Sequence, residues 1–121
     1  MPLRALIVTV ILTIVSPALA HDRKPQFGGR VAEAGAVEIE LVVKETLIDV
    51  YVMDHSGKPI PTTGYKAVAI LSSSGKSLRI TLAPAGGNRL TGNAPHVLAN
   101  SVKGAVLVTA PGGATNQGQF D

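Results

Sequence analysis

Cysteine and tryptophan are both absent from this chain of 121 residues. Without cysteine there is no disulfide framework, no thiolate metal site and no cysteine nucleophile. Aromatic residues are scarce, with two phenylalanines and two tyrosines, so any core has to be built from Val, Ile, Leu and Ala. No segment keeps a 3.6-residue apolar stripe, which argues against amphipathic helices. Eleven Lys and Arg stand against eight Asp and Glu, a formal charge of +3. So mild a balance, with charges that read as scattered, does not point to nucleic acid. Catalytic motifs are missing too: no G-x-S-x-G elbow, no H-E-x-x-H helix and no phosphate-cradling glycine loop. Gly86-Gly87-Asn88 and Gly112-Gly113 read as turns, because no helix start follows either. An enzyme is not expected.

What is present begins at the amino terminus. Arg4 precedes an uncharged apolar run from Ala5 to Val15, and Pro17 leads into Ala18-Leu19-Ala20. That order of charge, apolar stretch and small-residue pair is the pattern of a secretory signal peptide. The apolar run falls short of the roughly 20 residues a membrane span requires. Cleavage after Ala20 is expected, leaving His21 to Asp121 in the periplasm or secreted, with no membrane anchor. The expected organisation is a signal peptide over 1–20, an extended lead-in over 21–29 and one domain over 30–121. A domain of about 100 residues buries enough surface to fold without staples.

Within that domain the pattern is short strands broken by turn residues. Val37, Ile39, Leu41 and Val43 alternate with Glu38 and Glu40; Ile48, Val50 and Val52 alternate with Asp49 and Tyr51. Such period-2 runs of β-branched residues predict half-buried strands, with the two glutamates on the solvent side or forming a cation-attracting patch. Further strands are predicted at 30–34, 65–71, 78–82, 89–91, 102–110 and 114–120. The intervening Ser-Gly, Pro-Gly and Gly-Gly turns place them in hairpins. Glu45-Thr46, between two long strands, is not a favoured tight-turn pair. Together these signals predict an all-β fold, a small immunoglobulin-like antiparallel β-sandwich of about seven strands.

The candidate chemistry rests on three histidines. Cleavage after Ala20 places a free α-amine and an imidazole together on His21, a natural chelating pair for a divalent ion. His55 lies in the turn after the second long strand, and His96 in the loop Asn93-Ala94-Pro95-His96. Imidazole with oxygen ligands suits copper or zinc, and square-planar N/O coordination favours Cu(II). Each histidine also has a plain reading as a solvated terminal or loop residue. Asp54 either supplies a ligand beside His55 or simply initiates the turn Asp-His-Ser-Gly. Met53 is a soft thioether donor or ordinary core packing.

Four segments form an ordered series: Pro25-Gln26-Phe27-Gly28-Gly29-Arg30-Val31, Val37-Glu38-Ile39-Glu40-Leu41-Val42, Tyr51-Val52-Met53-Asp54-His55-Ser56-Gly57-Lys58-Pro59 and Leu82-Ala83-Pro84-Ala85-Gly86-Gly87-Asn88. The series resembles small periplasmic proteins, and segments of efflux-pump adaptor subunits, found in bacterial copper and heavy-metal resistance systems. In that family the lead-in commonly reads Pro-Gln-His-Gly-Gly, and this chain has Phe27 at the histidine position. Asp54 and His55 match the family's Asp-His turn. A looser likeness is to exported copper-resistance carrier β-sandwiches, which hold Cu(II) with a mature N-terminal histidine, an aspartate and a second histidine. The resemblance implies a non-catalytic metal-binding protein acting beside an efflux system. Cu(II) is the expected ion and Zn(II) the second choice, with His21, His55, Asp54 and His96 as candidate ligands. The competing expectation is an immunoglobulin-like interaction module that docks a periplasmic or membrane partner without metal.

Overall fold

The computed structural model describes residues 23–121, and the proposed signal peptide and His21 lie outside the described residues. Eight strands run antiparallel: β1 (Arg30–Ala34), β2 (Val37–Lys44), β3 (Leu47–Met53), β4 (Lys66–Ser73), β5 (Lys76–Pro84), β6 (Arg89–Asn93), β7 (Lys103–Thr109) and β8 (Thr115–Phe120). Among the described residues there is no helix. The all-β expectation holds, with eight strands in place of about seven.

Neighbours are hydrogen-bonded in one order, β1-β2-β3-β6-β5-β4-β7-β8. The sheet folds over along β5. Most of that strand pairs with β4, from Ser73–Lys76 to Ala67–Leu82. Its last two residues, Ala83 and Pro84, pair with Thr91 and Leu90 of β6. The fold brings β1 and β8 against each other, so the sheet nearly closes. Gly118 of β8 leaves room for Ile39 of β2, whose Cδ1 a Cβ there would meet at 2.6 Å, with Ala32 of β1 alongside at 3.6 Å.

The inner face carries the apolar alternation: Ile39, Leu41, Ile48, Val50, Ala69, Leu71, Leu90 and Val106 are fully buried in one cluster. Removing each large aliphatic side chain from water contributes about 1.5–3 kcal/mol. The β6–β7 loop closes one end of this core with Ala94, Leu98 and Val102. The same loop explains the unusual turn at Glu45-Thr46. Glu45 takes the left-handed conformation, φ 56°. In return the turn carbonyls accept bonds from the loop, Leu98 N to Glu45 O at 2.9 Å and Ala94 N to Thr46 O at 2.7 Å.

Two expectations need correction. Glu38 and Glu40 are not on a solvent face; both are completely buried. Nor are the carboxylates scattered, although the cations are, from Arg30 on β1 to Lys103 on β7. Every strand carboxylate sits on β1, β2 or β3, and β4 to β8 contain none.

Candidate metal centre

The burial of Glu38 and Glu40 comes from the lead-in, which folds back across the outer face of β2 and β3. Glu40 accepts three backbone N–H groups from it: Gln26 at 2.7 Å, Phe27 at 2.8 Å and Gly29 at 3.0 Å. A carboxylate is the one side chain able to satisfy so many converging donors. Phe27 stacks on Tyr51, ring centroids 3.8 Å apart and planes 10° from parallel. Asn100 fastens the far end, donating to Gly28 O at 3.1 Å while its Oδ1 accepts from Val43 N at 3.0 Å. Phe27 is thus an anchor of the strap.

Glu38 lies one cross-strand row away and has different partners. The two-residue connection Gly35-Ala36 pairs Ala34 with Val37 and so sets Glu33 directly opposite Glu38. On its other side Glu38 faces Met53, two residues before His55. Arg23 forms an ion pair with Glu38 Oε2 and donates to the carbonyl of His55. The second oxygen, Oε1, is buried without a hydrogen-bond partner among the described residues and lies 3.5 Å from His55 Nδ1. Unpaired carboxylate oxygen in a buried position is costly unless something fills its coordination.

Glu33, Glu38 and His55 form one cluster in which each offers a ligand atom within 4.8 Å of the other two. A tetrahedral ion with bonds of about 2.0–2.2 Å sets its ligand atoms roughly 3.4 Å apart. The Glu38–His55 pair already has that spacing, and Glu33 is exposed and free to close the remainder. Two like charges in directly opposed positions also favour an intervening cation. One imidazole and two carboxylates suit Cu(II) or Zn(II) and offer Cu(I) no sulfur.

Asp54 builds the turn that presents His55. Its Oδ1 accepts from Ser56 N at 2.9 Å, Ser56 Oγ at 2.7 Å and Lys58 N at 2.9 Å. The Ser56 hydroxyl first, then the Lys58 backbone N–H, hold its carboxyl below the usual carboxylate range. Asp54 stands outside the cluster, and the three donors account for its conformation. His96 is exposed, its Nδ1 3.2 Å from Val97 O. Its loop packs beside the β2–β3 turn, whereas His55 follows the far end of the seven-residue β3. That strand spans about 20 Å, so the structure does not bring His96 to His55.

Sequence reasoning missed Glu33 and reached Glu38 only as half of a possible cation-attracting patch with Glu40, without linking it to His55. The signal available was the two-residue turn, whose register opposes them. What was not available was the strap that turns a polar strand face into a buried one. No protein-family model, curated protein or solved structure matches the chain.

Proposed function

We propose that the chain is an exported, non-catalytic metal-binding protein, periplasmic or secreted, that handles a divalent ion at Glu33, Glu38 and His55. Cu(II) is the favoured ion and Zn(II) the second. The observation that carries the reading is Glu38 Oε1, buried, without a hydrogen-bond partner among the described residues and 3.5 Å from an imidazole nitrogen. His21 remains a candidate fourth ligand. That candidacy comes from the sequence alone, because His21 lies outside the described residues. A role beside an efflux system follows from the resemblance, and the folded-over sheet is read as a small immunoglobulin-like two-layer sandwich.

Calorimetric titration with Cu(II), followed by electron paramagnetic resonance, tests this. Glu38→Gln and His55→Ala are each expected to lower affinity at least about tenfold and to change the spectrum. Unchanged affinity in both variants overturns the site. A second reading, an interaction module that carries no metal, is favoured by the Arg23–Glu38 pair, which already neutralises one carboxylate. Under that reading Glu38→Gln changes stability and leaves copper binding at the level of any exposed histidine.

A further inference from the structure

The outer face formed by β4, β5, β7 and β8 has nothing folded over it among the described residues. Its centre is a block of four half-buried aliphatic residues, Val68, Ile70, Ala105 and Leu107. The register sets Val68 opposite Leu107 and Ile70 opposite Ala105, so the four lie side by side on two adjacent strands. Exposed cations stand round this block: Lys66 at one end of β4, Lys103 at the start of β7, and Arg79 opposite Ile70 on β5. Serine, threonine and glutamine complete the rim.

No aspartate or glutamate occurs between His55 and Phe120, so these strands supply no carboxylate to answer the cations. The acidic group beside the face is Asp121, just past β8, which accepts from Gln119 Nε2 at 3.4 Å. An apolar centre with a cationic rim complements a surface that is anionic and partly apolar. The face carries no aromatic side chain, and no cavity opens among the described residues. It therefore lacks the pocketed Trp and Tyr anchors that carry most protein–protein contacts. A layer of anionic headgroups requires no such anchors: its charge is spread out, and its acyl boundary accepts short aliphatic side chains.

We infer that the outer face of β4, β5, β7 and β8 docks the chain onto an anionic lipid surface. Docked this way, the strapped face of β1 to β3, with Glu33, Glu38 and His55, points away from the bilayer. The docking does not depend on the metal reading.

The test uses the chain as recovered from cells, its amino terminus established by intact mass. It is sedimented with phosphatidylcholine vesicles that either contain or lack phosphatidylglycerol. Binding is expected only with the anionic lipid, and salt should release it. Reversing Lys66, Arg79 and Lys103 together to Glu should lower partition roughly hundredfold. Reversing Lys24, Lys44 and Lys58, which lie off this face, should lower it by less than about threefold. The gentler set Lys66→Gln, Arg79→Gln and Lys103→Gln answers the same question should the reversals fail to fold. Equal binding to both vesicle types, or equal loss in both triple variants, overturns the proposal. So does a photo-crosslinker at position 107 that labels a protein in cells in place of lipid, which would assign the face to an acidic protein partner.

Discussion

The two outer faces of this sheet are built by the same alternation and end in opposite states. On β2 three of the four outward residues, Glu38, Glu40 and Val42, are buried although two of them are carboxylates, and Lys44 at the strand end is exposed. On β4 and β7 the outward residues include Val68, Ile70 and Leu107, apolar yet left half-exposed. The difference lies in what each face offers a passing chain. Carboxylates accept backbone N–H groups, so Glu40 can fasten an extended segment that has no strand partner of its own. Aliphatic side chains cannot satisfy backbone donors, so a strap laid over β4 and β7 would leave its N–H groups unpaired. Burial here follows hydrogen-bonding capacity more closely than hydropathy.

Substitutions can break that contrast, and Glu40→Ala should do so most strongly. It strands three backbone donors beneath the strap, and a loss of about 3–4 kcal/mol is expected in urea unfolding. A change under about 1 kcal/mol would show that the strap is not held by its carboxylate. Phe27→Ala removes the stack on Tyr51, itself partly exposed, and should cost about 1–2 kcal/mol. It should also raise hydrogen exchange at residues 26–29. On the bare face Leu107→Thr should change stability by less than about 1 kcal/mol, because no chain depends on it; a larger loss would reveal a hidden covering. The smallest effect belongs to Asp54. Its carboxyl is held below the ordinary value, so its contribution is present above the unfolded range near pH 4 and fades as pH falls through the folded value. Asp54→Asn should therefore flatten the decline in the urea midpoint between about pH 5 and pH 3.

How far the chain could be read in advance differs by level. The strands are legible because Val, Ile and Leu alternate over whole segments, and because Ser74-Gly75 and Gly113 sit where left-handed turn residues are required, at φ 50°, 76° and 93°. The turn role of Asp54 is legible for the same local reason. Glu33 is half-legible, since a two-residue connection at Gly35-Ala36 implies its position opposite Glu38. The state of Glu40 is not, because the residues that bury it lie 11 to 14 positions away and belong to no strand. His55 and His96 look equivalent as exposed loop histidines, and only the course of β3 sets them at opposite ends.

By itself, the sequence determined the strands, the hairpins, the absence of sulfur ligands other than methionine and the lack of acidic residues between His55 and Phe120. These are consequences of composition and of periodicities that act over two to ten residues. Tertiary structure decided which carboxylates are buried, which histidine meets them and which face stays open. Each of those depends on segments brought together by register and by the fold along β5. A carboxylate oxygen that is buried and unpartnered among the described residues, as Glu38 Oε1 is, exists only once such segments have closed over it.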